Sequence, residues 1–311
     1  MGKPEEAVYP GLPTDNLPPP PAYTPATSSS HASSLPAVTP HTPFPSLMNA
    51  FYTYSLAGMK FFHLCTANAS DILYYVEVHM GYSGKAPLGP RPGLYLRNGT
   101  TKDAPILAAT GDESMEAAQI NHFSINSLVL LRPPPGATGR DAEQEFITEM
   151  MRTGLAGKEE GGKGVVGYKF RIEVGGVGSP VREEFEWRAF KGKSDVEYPE
   201  GGFRLLRSVA GGSGGSGQVA TPSVGDMKGE GSASGAEEGT HHETVAVLEW
   251  AKKLAMKHGF KLELKGSGAS GELGERWRLM VVVTALRIWN LRVSGRATKT
   301  GVKIGEKWWN K

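Results

Sequence analysis

The sequence predicts a mainly β (α+β) domain that is wrapped around one apolar helix near the C-terminus. From about Lys60 onward, short apolar runs alternate with period two and are separated by Gly, Pro, Asn and Asp turn signals. A single longer segment, Leu279–Leu286, is instead apolar on nearly every side, which is typical of a helix that is buried all round. The 41 Gly and 22 Pro are concentrated in other stretches, so one domain smaller than the chain is expected.

Composition divides the chain into four parts. Residues 1–55 are dominated by Pro, Ser, Thr and Ala and are predicted to be a disordered arm, because they bury too little apolar surface to offset the entropy of ordering. The β-rich domain follows at 56–295. It is interrupted at 209–242 by Gly, Ser and acidic residues without an apolar period, which indicates a flexible insertion. Residues 296–311 form a basic C-terminal tail.

Eleven strands are predicted within the domain. Alternation is clearest where Phe185, Trp187 and Ala189 share one face while Glu184, Glu186 and Arg188 share the other. The predicted strands span 60–65, 73–79, 93–98, 106–110, 127–132, 146–151, 168–174, 183–190, 203–208, 244–250 and 260–265.

The apolar helix is predicted over Gly271–Leu291. Ser270 is a candidate N-cap, and Glu272 would lie in the first turn, four residues before Arg276, with which it could pair. A narrow polar stripe, Thr284, Arg287 and Asn290, interrupts the apolar surface. A buried β-strand is the competing interpretation, since the Val triplet at 281–283 is β-branched. A membrane-spanning helix is a second, disfavoured interpretation, because arginines bracket a run shorter than the ~20 residues required.

Three segments resemble the Tubby C-terminal and LURP-one-related family, in particular its fungal members of unassigned function. They are Tyr74-Tyr75-Val76-Glu77-Val78, Phe185-Glu186-Trp187-Arg188, and Gly271-Glu272-Leu273-Gly274-Glu275-Arg276-Trp277 running into Leu279–Trp289. The resemblance implies a closed antiparallel barrel of about 12 strands around the helix. Trp277, Met280, Val283 and Leu286 would then fill its lumen. The long insertion departs from animal Tubby proteins, so their phosphoinositide-site residues are not transferred.

No catalytic, cofactor or metal site is predicted. Gly212–Gly217 matches a dinucleotide fingerprint in form, but no helix pattern follows it. His241 and His242 would point to opposite faces of a strand, with no third ligand suitably spaced. Cys65 is expected to be a small buried thiol. A single cysteine and the absence of an apolar run behind Lys3 favour an intracellular protein, cytoplasmic, nuclear or peripherally bound to a membrane.

The N-terminal arm contains one candidate ligand motif. Pro20-Pro21-Ala22-Tyr23 resembles the PPxY ligands of WW domains, including those of HECT-type ubiquitin ligases. The prolines are preset in polyproline II, so docking costs little conformational entropy, while Tyr23 supplies a directional anchor. Pro20, Pro21 and Tyr23 are therefore candidate contacts with a WW-domain partner. A chance match in a Pro-rich arm is the competing interpretation.

The C-terminal region is strongly basic. From residue 276 onward, nine cations and the single acid Glu306 give a net charge of +8, although the whole chain carries only +2. Cations beside Trp308 and Trp309 favour an anionic membrane surface. Solvated charges with packed tryptophans are the competing interpretation. The candidate lipid- or anion-binding residues are Arg292, Arg296, Lys299, Lys303, Lys307, Trp308, Trp309 and Lys311.

These patterns together favour a non-enzymatic adaptor that associates with phosphoinositide or another anionic membrane lipid and recruits a WW-domain protein. An enzyme or small-ligand carrier with an unrecognised pocket is the first alternative. Nucleic-acid binding through the basic tail is the second, although a pI of about 8.5 argues against a nucleic-acid binder as a whole.

Overall fold

The computed structural model describes residues 39–52, 60–114, 126–134, 140–158, 164–175, 181–192, 195–209, 241–252, 257–298, 300 and 302.

Within these residues, twelve strands form one closed antiparallel barrel, in which each strand pairs with its neighbours along the chain and β1 pairs with β12. This confirms the predicted fold. The strands are β1 Leu47–Phe51, β2 Phe61–Cys65, β3 Ile72–His79, β4 Gly93–Arg97, β5 Ile106–Asp112, β6 Asn126–Leu131, β7 Ile147–Lys158, β8 Gly164–Val174, β9 Val181–Phe190, β10 Gly202–Val209, β11 His241–Trp250 and β12 His258–Leu264. The helices are α1 Arg140–Glu143, α2 Gly266–Ser270 and α3 Gly274–Val293.

Helix α3 occupies the inside of the barrel. Its side chains contact strands on different sides: Trp277 packs on Phe185 of β9, and Trp289 packs on Phe62 of β2 and Phe260 of β12. The apolar segment is therefore a helix and not the alternative buried strand. The predicted lumen residues are confirmed, since Trp277, Met280, Val283 and Leu286 are at most 1% exposed. Because the twelve described strands close on themselves around a packed helix, none of them is an edge strand.

The strand connections alternate between the two ends of the barrel, because every strand pair is antiparallel. Helix α3 enters at the end where Arg276 contacts Glu173, near the end of β8. It leaves at the end where β3, β5, β7 and β11 finish, since Arg287 contacts Asp112 of β5 and Arg292 lies over Trp250 of β11. We call this second end the helix-exit end. It carries the β3–β4 loop, the paired ends of β7 and β8, and residues 294–298 after α3.

The predicted N-terminal boundary is wrong. Strand β1 lies within residues 1–55, which were predicted to be a disordered arm, and it closes the barrel by pairing with β12 and β2. The preceding segment also belongs to the domain: Phe44 is 2% exposed and stacks on Tyr74 at a centroid distance of 4.9 Å. Five residues are too short to show a clear period, so the Pro and Ser content around β1 obscured it.

The predicted start of the central helix is also wrong. Ser270 ends the short helix α2, and α3 begins at Gly274, which has a φ of 83°. The predicted Glu272–Arg276 pair does not form. Arg276 instead donates to Glu173 on β8 at 2.9 Å, and Glu272 accepts from Arg207 on β10 at 3.0 Å. Partners from the barrel thus replace the local i, i+4 pair.

Two further boundaries change. Val302 is 2% exposed and belongs to the apolar core, so the chain packs on the domain beyond the predicted start of the tail at residue 296. Strands β10 and β11 continue into the predicted 209–242 insertion, because Val209 pairs with His241 and Ser208 pairs with His242. Residues 210–240 lie outside the described residues.

Candidate functional site at the helix-exit end

The polar stripe of α3 meets polar partners on the barrel wall. Thr284 is fully buried, and its Oγ1 accepts a hydrogen bond of 3.0 Å from the indole Nε1 of Trp187. The same hydroxyl donates to the carbonyl of Met280 at 2.9 Å. Buried polar groups are costly unless they are hydrogen-bonded, so this pairing explains how the barrel tolerates a threonine in its core.

Arg287 is the second residue of the stripe and is fully buried. Its Nη2 donates to Oδ1 of Asp112, its Nε donates to Ser127 Oγ at 2.9 Å, and its Nη1 donates to Asn290 Oδ1 at 3.2 Å. Asp112 is 1% exposed. Burial lowers the pKa of Arg287, while the Asp112 carboxylate acts in the opposite direction. A guanidinium stays charged even so, and the result is a buried ion pair.

Arg296 brings a second guanidinium to the same carboxylate. Its Nη2 lies 2.7 Å from Asp112 Oδ1, and its Nη1 lies 3.2 Å from Oδ2, which is a bidentate arrangement. The Arg296 side chain is 14% exposed. This contact ties the segment after α3 to the barrel wall. We call Arg287, Asp112 and Arg296 the arginine cluster. It carries two positive charges and one negative charge.

Arg292 lies in the last turn of α3, at the surface of the helix-exit end. Its guanidinium carbon is 4.2 Å from the centre of the Trp250 ring, a cation–π contact at the end of β11. Residue 292 is exposed, and partial burial against the ring lowers the pKa of its guanidinium. Arg292 therefore presents positive charge at the surface of the helix-exit end.

Exposed apolar side chains gather at the same end. Met80 is 58% exposed and Tyr82 is 93% exposed, both in the β3–β4 loop, and Val293 at the end of α3 is 60% exposed. Leu155 is 38% exposed on β7, where the β7–β8 hairpin continues past the start of β6. These four residues form what we call the apolar rim. Among the described residues, the other exposed large apolar side chains are Phe61, Val181 and Val196.

Exposed cations lie at the same end of the barrel as the apolar rim. Lys60, Lys85 and Lys257 are on strand connections, Arg152 is on β7, and Arg292 is near the end of α3. The β3–β4 loop, residues 80–92, contains no acid, and neither does the segment after α3 from 294 to 305. On the β9–β10 loop, Asp195 is paired with Arg204 and Glu197 with Lys265. Glu200 is the third acid of that loop, so among the described residues at this end the exposed cations still outnumber the acids without an ion pair.

The structure places only two of the predicted site residues. Arg292 is exposed, whereas the guanidinium of Arg296 is occupied by Asp112, so its first role is to hold the chain in place. The other predicted contacts lie outside the described residues: Pro20, Pro21, Tyr23, Lys299, Lys303, Lys307, Trp308, Trp309 and Lys311.

Sequence reasoning missed Asp112, Ser127 and the apolar rim. A signal for Asp112 was present, because it lies two residues beyond Thr110 and so shares its inward face by the period of a strand. The partner of Arg287 could not be read in that way, since 175 residues separate it from Asp112. Exposure of the Tyr82 ring depends on how the β3–β4 loop folds, which a local sequence pattern does not show.

Among the described residues, His, Cys, Asp and Glu do not gather in any group of three or more that could hold a metal ion. No helix in the described part of the chain is long and apolar enough to cross a membrane. No family model matches the chain, and neither a curated protein nor a solved structure matches it.

Proposed function

We propose that this protein is a non-enzymatic adaptor that binds anionic membrane surfaces through the helix-exit end of its barrel. The observation that carries the proposal is the coincidence of an apolar rim with exposed cations at one end of the barrel. Because α3 fills the lumen, a ligand as large as a lipid headgroup can reach only the outer surface and the loops of the described domain. The resemblance to the Tubby-like group agrees with such a role.

The two kinds of side chain act together in this proposal. Each cation near an anionic leaflet contributes about 1 kcal/mol, which falls off within a Debye length. Met80, Tyr82 and Val293 add apolar contact, and a tyrosine ring suits the interfacial zone of a bilayer. Five exposed cations and these side chains are enough for reversible peripheral binding. Lys299, Lys303 and Lys307 follow α3 in the sequence and would add positive charge.

The headgroup proposed is a phosphoinositide, because several phosphates on one ring concentrate negative charge. Co-sedimentation with vesicles of phosphatidylcholine alone, with phosphatidylserine, or with a phosphoinositide tests this directly. We expect the full chain to bind in the order phosphoinositide, phosphatidylserine, phosphatidylcholine. Lys85→Glu and the triple variant Lys299→Glu, Lys303→Glu, Lys307→Glu should each weaken binding several-fold. Arg296 is left unchanged because its loss would remove a partner from the buried carboxylate of Asp112.

A matched pair of variants tests the apolar rim. Tyr82→Ser removes a 93% exposed side chain at the helix-exit end, whereas Val181→Ser removes a 60% exposed side chain at the opposite end of the barrel. Only Tyr82→Ser is expected to reduce vesicle binding. If a folded wild-type chain fails to bind any anionic vesicle, or if both serine variants weaken binding equally, the membrane function is wrong.

The proposed adaptor role also requires a partner for the N-terminal arm. A polyproline II ligand of the PPxY type docks in the aromatic groove of a WW domain. A peptide of residues 12–28 should bind isolated WW domains, and Tyr23→Ala should abolish that binding. The outcome does not depend on membrane binding. Equal binding of the wild-type and Tyr23→Ala peptides would refute this part of the proposal.

A further inference from the structure

We propose that the arginine cluster and Tyr168 form a buried binding site for a small monovalent anion of the halide class. The site lies inside the barrel, between α3, the segment that follows it, and strands β5 and β8. It is independent of the proposed membrane contact, which involves exposed side chains.

The charges of the arginine cluster do not balance. Arg287 is fully buried, Arg296 is 14% exposed, and the single carboxylate between them, Asp112, is 1% exposed. Asp112 already accepts hydrogen bonds from both guanidiniums. One positive charge therefore remains without a compensating anion in a region that water scarcely reaches, and such a charge is costly in a low dielectric. A bound monovalent anion would bring the cluster to neutrality.

Two buried donors have no hydrogen-bond partner among the described residues. One is the hydroxyl of Tyr168, which is 1% exposed, and the other is the buried Nε of Arg296. Buried donors in folded proteins are almost always paired, so each of these needs an acceptor. Tyr168 pairs across the sheet with Trp187, whose indole donates to Thr284, one turn before Arg287 on α3. Burial raises the pKa of the Tyr168 hydroxyl, and the positive charges of Arg287 and Arg296 oppose that rise.

One acceptor that also carries a charge satisfies both requirements. A water molecule would pair the donors but would leave the extra positive charge uncompensated. A phosphate monoester would overcompensate, because it carries nearly two negative charges at neutral pH. A small monoanion such as chloride neutralises the residual charge, and it is compact enough for a site lined by the buried residues Tyr168 and Arg287. Arg296 is the most exposed member, so the anion would enter from the helix-exit end.

The first test is the melting temperature of the full chain in sodium chloride and in sodium gluconate at equal ionic strength. Chloride binds the native state in this proposal, so the melting temperature should rise with the logarithm of chloride concentration, and gluconate should have no such effect. Tyr168→Phe should remove most of the chloride dependence without lowering the melting temperature in gluconate. Tyr95→Phe is the matched control, because the Tyr95 hydroxyl donates to the carbonyl of Lys85, outside the cluster.

The second test locates the anion. Crystals grown in bromide should show an anomalous scattering peak within about 3.5 Å of both the Tyr168 hydroxyl and the Arg296 Nε. Equal melting temperatures in the two salts, an unchanged chloride dependence in Tyr168→Phe, or the absence of a bromide peak would each overturn the proposal. Stabilisation by inorganic phosphate but not by chloride would overturn it as well, since the site would then accept a different class of anion.

Discussion

Replacing Asp112 by Asn is expected to destabilise the barrel by about 3–5 kcal/mol, which is the usual effect of removing one partner from a buried ion pair. Asn has nearly the same size and can still accept a hydrogen bond, so the change isolates the charge. Arg287 is fully buried and would lose the carboxylate that neutralises it, while Arg296 would lose both charged contacts, at 2.7 Å and 3.2 Å. For a domain of this size, the melting temperature should fall by about 10 °C.

A double-mutant cycle separates the charge effect from packing. Arg287→Met keeps an unbranched side chain of similar length and leaves Asp112 paired with Arg296. Arg287→Met should therefore reduce the free energy of unfolding by less than Asp112→Asn does. The double variant lacks the buried guanidinium. The loss in free energy of unfolding caused by Asp112→Asn should therefore be smaller by at least about 1 kcal/mol in the Arg287→Met background than in the wild type.

Urea unfolding followed by tryptophan fluorescence and circular dichroism gives each free energy of unfolding. The control is Glu184→Gln, which removes a carboxylate from an exposed pair with Arg171 and should change stability by less than about 1 kcal/mol. If Asp112→Asn costs no more than Glu184→Gln, or if the two cluster substitutions are additive, the assignment of a tightly coupled buried cluster is refuted.

Three further predictions concern the packed interior. Thr284→Val should cost about 1–3 kcal/mol in urea unfolding because the indole N–H of Trp187 loses its acceptor, whereas Thr284→Ser should recover most of the loss. A Cβ at Gly202 would overlap the carbonyl oxygen of the neighbouring strand, so Gly202→Ala should lower the melting temperature more than Gly89→Ala, where φ is +61° but the space is open. Burial raises the pKa of the Cys65 thiol to about 11. The thiol should therefore resist a thiol reagent at pH 8 in the native protein and react once the protein is unfolded. The free energy of unfolding should fall as pH rises from about 9 to 11, and it should fall more steeply in the wild type than in Cys65→Ala. Rapid labelling of the native thiol at pH 8, or equal pH dependence of the two chains, would contradict this reasoning.

Much of the barrel could be predicted because its signals are local. Period-two alternation located eleven of the twelve strands, and the apolar segment at 279–286 indicated a helix that is buried on all sides. Even the polar stripe of Thr284, Arg287 and Asn290 was visible as a repeated interval along that helix. These patterns agree with the folded structure because they depend on the geometry of a single strand or helix, and a window of about ten residues already contains that geometry.

Other features depend on residues that are far apart in the chain. Strand β1 is too short to carry a period, and it belongs to the barrel because β12 supplies its partner more than 200 residues later. Arg287 meets Asp112 across 175 residues, and Arg296 meets it across 184. The apolar rim likewise arises only when antiparallel pairing brings the β3–β4 loop, the β7–β8 hairpin and the end of α3 to the same end of the barrel. Local propensity specifies the strands and the helix, but closure of the sheet determines which loops meet and which buried charges are paired.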